Sequence, residues 1–230
     1  MKQEEITVKG IILAVYPQGE YGKRISLLSD RFGKITVFAG GAAKQTSKII
    51  GACRPFVCGE YTLAGGKNAW NLHSVKVMES FDRITEDPDS VFTGAYVLEF
   101  ASYFTEEGMT GEDAKAVLNL LYVTLQALKE GAEGSGKLPA ELIRRVFELR
   151  MLKLEGIYTE EPHEKEETVM QLWDYAIRSP LTGLYDSGAW SRILADGVLT
   201  EAGNGFVYSV KHLKNSQVEH RFKSEELLQG

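Results

Sequence analysis

Residues 23–56, KRISLLSDRFGKITVFAGGAAKQTSKIIGACRPF, narrow the possible folds of this chain more than any other stretch. Ile25 and Leu27 alternate with Arg24, Ser26 and Leu28, the period of a strand with one buried and one largely polar face. Asp30-Arg31-Phe32-Gly33 closes a turn. Ile35 and Val37 then alternate with Lys34, Thr36 and Phe38, so the two strands form an antiparallel hairpin. Ala39-Gly40-Gly41 follows, where missing side chains let the backbone turn sharply or approach another group closely. From there to Pro55 the charged residues are Lys44, Lys48 and Arg54, with no carboxylate among them. A cationic loop beside a small sheet is the pattern of a phosphate-binding surface.

Three more strands are expected, at residues 8–16, 56–64 and 69–78, the last two joined by a turn at Gly65-Gly66-Lys67-Asn68. Five short strands in under eighty residues, with an irregular excursion after the third, predict a small closed barrel. Periodicity alone does not choose between an OB-type and an SH3-like barrel. Near residues 81–88 the pattern changes to helical, dividing the chain into a barrel domain, 1–80, and a helical domain, 81–230. The fold class is α+β, a barrel followed by an all-α domain.

In the second domain, Asp89 or Ser90 is expected to cap a helix that Gly108 stops. A second helix is expected at 112–129 and a Gly-rich connection at 131–136. Pro139 opens a third helix, apolar almost all round and so central to its domain. The acidic connector TEEPHEKEE, 159–167, has no helical apolar face; helical signals resume at 169–178 and 187–194, before a tail at 206–228.

The net charge of −6 argues against nucleic acid, but the two halves differ. Residues 1–80 sum to +5 and residues 81–230 to −11, which pairs a basic binding module with an acidic one. No apolar run is long enough for a membrane span, and the N-terminus lacks the apolar stretch of a signal peptide, so a cytoplasmic protein without membrane partners is expected. The two cysteines, Cys53 and Cys58, are too few for a zinc ribbon and are expected to pack as reduced small hydrophobes. His163 in the connector lacks the further donors a metal requires, so neither a metal nor another cofactor is expected.

Enzyme signatures are missing. Gly19-Glu20-Tyr21-Gly22-Lys23-Arg24 has the wrong glycine spacing for a phosphate loop and no Ser or Thr after the lysine. Glu106-Glu107 and Glu160-Glu161 are sequence neighbours with nothing to separate an acid from a base, and His73 has no nucleophile motif beside it. A hydrolase built on His73 and a carboxylate is thus disfavoured, and no catalytic residue is expected. Nucleic-acid binding fits better: Lys23, Arg24, Arg31, Lys34, Lys44, Lys48 and Arg54 for a groove, with Tyr21, Phe38 and Trp70 as stacking candidates. Phe38 and Trp70 fit barrel core better than stacking.

The stretch as a whole resembles the RecO family of bacterial recombination mediators. The similarity runs through Gly10-Ile11-Ile12-Leu13, Gly19-Glu20, Arg31-Phe32-Gly33-Lys34, Ala39-Gly40-Gly41-Ala42 and Ser47-Lys48 to Arg54-Pro55-Phe56, and the closing segment Arg221-Phe222-Lys223-Ser224-Glu225-Glu226-Leu227-Leu228 is similar to that family's end. The resemblance implies an OB-type barrel and a non-enzymatic mediator of DNA repair that binds single- and double-stranded DNA and anneals complementary strands. It also implies partners: RecR, single-strand DNA-binding protein through its acidic, Phe-ended tail, and indirectly RecA. Arg144, Arg145 and Arg150 are candidates for the basic rim that such a tail needs. Two departures stand out. Ala43, Gln45 and Thr46 make the loop less basic than is usual in the family, implying weaker DNA affinity and more reliance on partners. The zinc-binding cysteines that many members carry near residues 157–168 are missing, and Ile157 and Tyr158 are expected to pack the helix end instead. The competing reading is a protein-interaction adaptor whose barrel binds no nucleic acid.

Overall fold

A computed structural model describes residues 5–42, 49–65, 69–132, 138–195 and 197–228. They fall into two compact units, one formed by Met1–Phe81 with Ala101–Leu118 and the other by Asp82–Phe100 with Asn119–Gly230.

In the first unit β1 (Glu5–Gln18), β2 (Gly22–Ser29), β3 (Gly33–Ala39), β4 (Val57–Gly65) and β5 (Trp70–Ser80) close a barrel in the order β1-β2-β3-β5-β4. β1 pairs with both β2 and β4, and β5 meets β3 in parallel at Val37↔Trp70 and Phe38↔Asn71. That closure by a parallel strand identifies the OB-type topology that periodicity left open. Val8, Ile12, Ile25, Leu27, Ile35, Val37, Tyr61 and Leu63 fill the interior, joined by Ala42 and Cys53 from the segment between β3 and β4. Trp70 packs on this core and stacks on Phe32 with ring centroids 5.6 Å apart.

One irregularity decides which side chains face out. The β1–β2 register shifts between Ile12 and Ala14, leaving Leu13 as an extra residue. Ile12 pairs inward with Leu27 and, beyond the bulge, Val15 pairs inward with Ile25. Tyr16 consequently faces outward opposite Arg24.

The second unit is helical: residues of α1 (Pro88–Phe104) and α2 (Gly111–Ala132), then α3 (Ala140–Leu154), α4 (Glu167–Arg178), the four-residue α5 (Ser187–Trp190) and α6 (Glu201–Gln217). Every residue from Leu142 to Leu149 in α3 is buried, as expected of the central helix. Sequence expectations need correction at three places. The α1 cap is Asp87, whose carboxylate accepts from Ser90 N at 3.0 Å and from Ser90 Oγ at 2.6 Å; Pro88 takes the first helical position. The signal at 187–194 yields only α5, a 3-10 turn and the start of a two-residue ladder between β6 (Leu194–Ala195) and β7 (Val198–Leu199). The expected tail begins inside α6, which buries Phe206, Val210 and Leu213. Beyond α6, Phe222 is fully buried against Tyr96 and Phe100, and the Glu99 carboxylate accepts from the backbone N–H groups of Lys223 and Ser224.

The connector before α4 is tied to the helices by hydrogen bonds and a ring contact. Trp173 donates its indole N–H to Thr159 O at 3.1 Å, Glu164 N donates to Ser209 Oγ at 3.0 Å, and the His163 ring lies 4.4 Å from that of His212. Ile157 and Tyr158 are half-buried; Ile157 N closes the end of α3 by donating to Leu152 O. Among the described residues no group of three or more His, Cys, Asp or Glu is placed to hold a metal, and no helix is long and apolar enough to cross a membrane.

Candidate nucleic-acid interface

The strand ladders sort the barrel's outward side chains into rows. Residues directly opposite one another in a ladder share a face and lie within side-chain contact. Near one end, Tyr16 pairs with Arg24, Arg24 with Phe38, and Phe38 with Asn71, giving one row across four strands. Tyr16, Arg24 and Asn71 are exposed and Phe38 is half-buried. The Arg24 guanidinium lies 4.7 Å from the Tyr16 ring centre, a cation–π contact that holds the charge flat on the surface. Phe38 is therefore not barrel core: its neighbours Val37 and Ala39 point inward, and it points out.

Beside this row a hollow of about 450 Å³ is lined by Gln18, Tyr21, Gly22, Lys23, Phe38, Ala39, Gly40, Gly41 and Asn71. Its rim is the tight β1–β2 hairpin. Tyr21, in that hairpin, is 47 % exposed. Lys23 and Arg24, adjacent in sequence, diverge by the strand period. Lys23 donates its ammonium to Cys53 O at 2.9 Å and braces the segment that plugs the barrel.

The remaining predicted cations do not converge. Arg31 is exposed above the Phe32 ring in the β2–β3 turn, seven residues along the strand from Arg24 and so roughly 20 Å away. Lys34 donates to the carbonyl and hydroxyl oxygens of Ser102, and its ammonium has a lowered pKa because burial penalises the charge. Arg54 donates to Gly51 O at 2.6 Å and to Ser80 Oγ at 3.2 Å. Lys44 and Lys48 lie outside the described residues. Among the described residues, then, Arg24 and Arg31 carry open charge, while Lys23, Lys34 and Arg54 spend donors on the barrel's own carbonyl and hydroxyl groups. Tyr16 and Asn71 were missed from sequence; the bulge that turns Tyr16 outward has no local signature, and Asn71 is placed by the parallel β3–β5 pairing.

The arginines of α3 separate as well. Arg145 is buried and pairs with the fully buried Glu148 at 2.7 Å, and Arg150 donates to the carbonyls of Ala176, Ile177 and Ser179. Both are occupied inside the helical unit. Arg144 reaches Glu141 at 3.2 Å and lies 5.5 Å from the Tyr96 ring centre, while its Nε has no hydrogen-bond partner among the described residues. It lines a cavity of about 510 Å³ together with Ser90, Phe92, Pro139 and Leu227.

His73 meets a carboxylate, Glu5, at 3.3 Å, but both side chains are at least half exposed and nothing around them separates an acid role from a base role. Both cysteines are free and buried, and burial, then Glu79, pushes the Cys58 thiol up to about 11.

Comparison with known proteins follows the same division. A family model described as Recombination protein O N terminal matches residues 1–81, the barrel. The DNA repair protein RecO of Clostridium novyi is 30% identical over 149 residues, 64% of this chain and 55% of the relative. That of Alkaliphilus metalliredigens is 28% identical over 158 residues, 69% of this chain and 60% of the relative. The protein of the same name from Bacillus pumilus is 32% identical over 156 residues, covering 67% of this chain and 57% of the relative. The matched part thus spans less than two thirds of these relatives. The OB-type barrel matches the RecO N-terminal model, and the chain as a whole is similar to RecO proteins over about two thirds of its residues.

Proposed function

We propose that the chain is a recombination mediator in DNA repair whose barrel binds single- and double-stranded DNA and anneals complementary strands. With RecR it helps RecA replace single-strand DNA-binding protein. The observation that carries this reading is the exposed Tyr16–Arg24–Phe38–Asn71 row on an OB-type barrel, in a chain whose relatives are named DNA repair proteins. Arg24 and Arg31, with Lys44 and Lys48 of the adjoining loop, neutralise phosphates. Neutralising two strands at once removes the repulsion that keeps complements apart, and a small number of open cations lets the product leave. Lys23, Lys34 and Arg54 act as scaffold.

The helical unit supplies the partner contact. Its cavity sets the Arg144 guanidinium beside Phe92 and Leu227, but Asp87, Asp89 and Glu141 share the lining, so an acidic, Phe-ended tail such as that of single-strand DNA-binding protein would have to displace Glu141 from Arg144.

The test is anisotropy of a labelled single-stranded oligonucleotide across salt. Wild type is expected to bind with log affinity falling by about 0.7 per neutralised phosphate against log salt, and Arg24→Ala to lose about one such contact. Absence of binding at low salt would favour the second reading, a protein-interaction adaptor. That reading is supported by the internal hydrogen bonds of Lys23, Lys34 and Arg54, which leave little open charge among the described barrel residues.

A further inference from the structure

The hollow beside the open row has properties that phosphate binding does not use. Tyr21 and Phe38 bring two aromatic rings to it, and Gln18 and Asn71 bring two side-chain amides, each with donors and an acceptor. None of the described residues lining it is acidic. Its volume, about 450 Å³, lies in the range of small-molecule sites, roughly 300–1,000 Å³. At Gly40 a Cβ would meet nothing within 4 Å among the described residues. Phe38 sits between the Arg24 charge on one strand and the Asn71 amide on the next.

We infer that this hollow takes a single unpaired nucleobase of the bound strand. The base stacks on Phe38 and Tyr21, its edge meets the Asn71 and Gln18 amides, and its own phosphate lies toward Arg24. The inference rests on the mediator reading and deepens it, because it gives the interface a base-dependent component. Flat rings accept any base face, while paired side-chain amides match the donor–acceptor edge of adenine. A peptide is the poorer occupant: its extended backbone needs a row of unpaired main-chain groups, whereas rings, side-chain amides and Lys23 line this hollow beside Ala39 and three glycines. A base in a duplex is stacked and paired, so the hollow selects single strands.

The experiment compares a short labelled deoxyadenosine oligonucleotide with its fully abasic counterpart of equal length, so that phosphate number is constant. Wild type is expected to bind the base-bearing strand about ten- to a hundredfold more tightly, the weight of one stacked base, with the same salt slope for both. Phe38→Ala and Tyr21→Ala are expected to abolish most of that ratio. Tyr21 is the more exposed of the two, so its variant keeps the test valid if Phe38→Ala loses stability. Equal binding of the two strands by wild type would overturn the base pocket and leave the phosphate surface standing. Absence of binding by either strand at low salt would remove both. Displacement of the oligonucleotide by free deoxyadenosine monophosphate at about 1 mM would assign the hollow to mononucleotides and overturn a strand-borne base; no displacement is expected, since a lone stacked base supplies too little affinity.

Discussion

Two outward rows of one barrel behave in opposite ways. The row Lys34–Leu28–Ile11–Cys58 runs across β3, β2, β1 and β4 just as Phe38–Arg24–Tyr16 runs across the first three of those strands. Yet Ile11 and Leu28 are 0 % exposed, and the ammonium of Lys34 is bonded to Ser102. Residues 101–118 dock at that end: Lys34 N donates to Glu106 O at 3.2 Å, and Gly108 N donates to Phe32 O at 3.1 Å. The lesson is that a lysine in a strand is read by what its row faces. Lys34 and Arg24 look alike in sequence; one holds the barrel to a helical segment and the other is open to a ligand.

The contrast is most sharply broken at Gly33. Its φ is +69°, and a Cβ there would meet Glu106 O at 2.2 Å, inside any tolerable contact. Gly33→Ala is expected to cost about 2–4 kcal/mol, read from the denaturant midpoint, because backbone strain and a main-chain clash add. Retention of the wild-type midpoint would mean that 101–118 does not dock there.

The same covered row should show in the pH dependence of stability. Burial raises the Cys58 thiol from its ordinary value of 9.0 to about 11, so the folded protein keeps a proton that the unfolded chain has released. Its contribution is complete below pH 9 and is lost as pH rises toward 11, with a fall on the order of 2 kcal/mol that Cys58→Ala should flatten. A stability curve indifferent to that substitution would show the row to be wet.

Lys34→Ala removes donors to Ser102 and is expected to cost about 1 kcal/mol of stability while leaving the salt slope of DNA binding unchanged. Arg24→Ala should do the reverse, changing stability by less than about 0.5 kcal/mol and reducing the slope by about 0.7. If the two variants exchanged these phenotypes, the assignment of the rows would be reversed.

All five strands were legible in the sequence, β3 by clean alternation and the others by short apolar runs between turn residues, and their ends fall close to the expected positions. Their order was not. The parallel β3–β5 contact rests on two residue pairs and leaves no periodic trace in either strand. Among the helices, α3 announced itself by its apolar content, whereas α6 carries the poor helix formers Gly203, Asn204 and Gly205 near its start and is held by the burial of Phe206, Val210 and Leu213. The candidate site was legible as residue types and not as directions. Lys23 and Arg24 read as one basic pair, and Phe38 read as core because a phenylalanine beside Val37 invites that reading; strand pleating sends each pair to opposite faces.

The extra residue at Leu13 makes this surface tolerant in an unexpected place. It stands outside the two-beat pattern, so removing its codon would set Ala14 directly after Ile12, opposite Ser26, and leave Val15 opposite Ile25 and Tyr16 opposite Arg24. A lineage could thus shed this residue by an in-frame deletion without turning any side chain that the ligand touches.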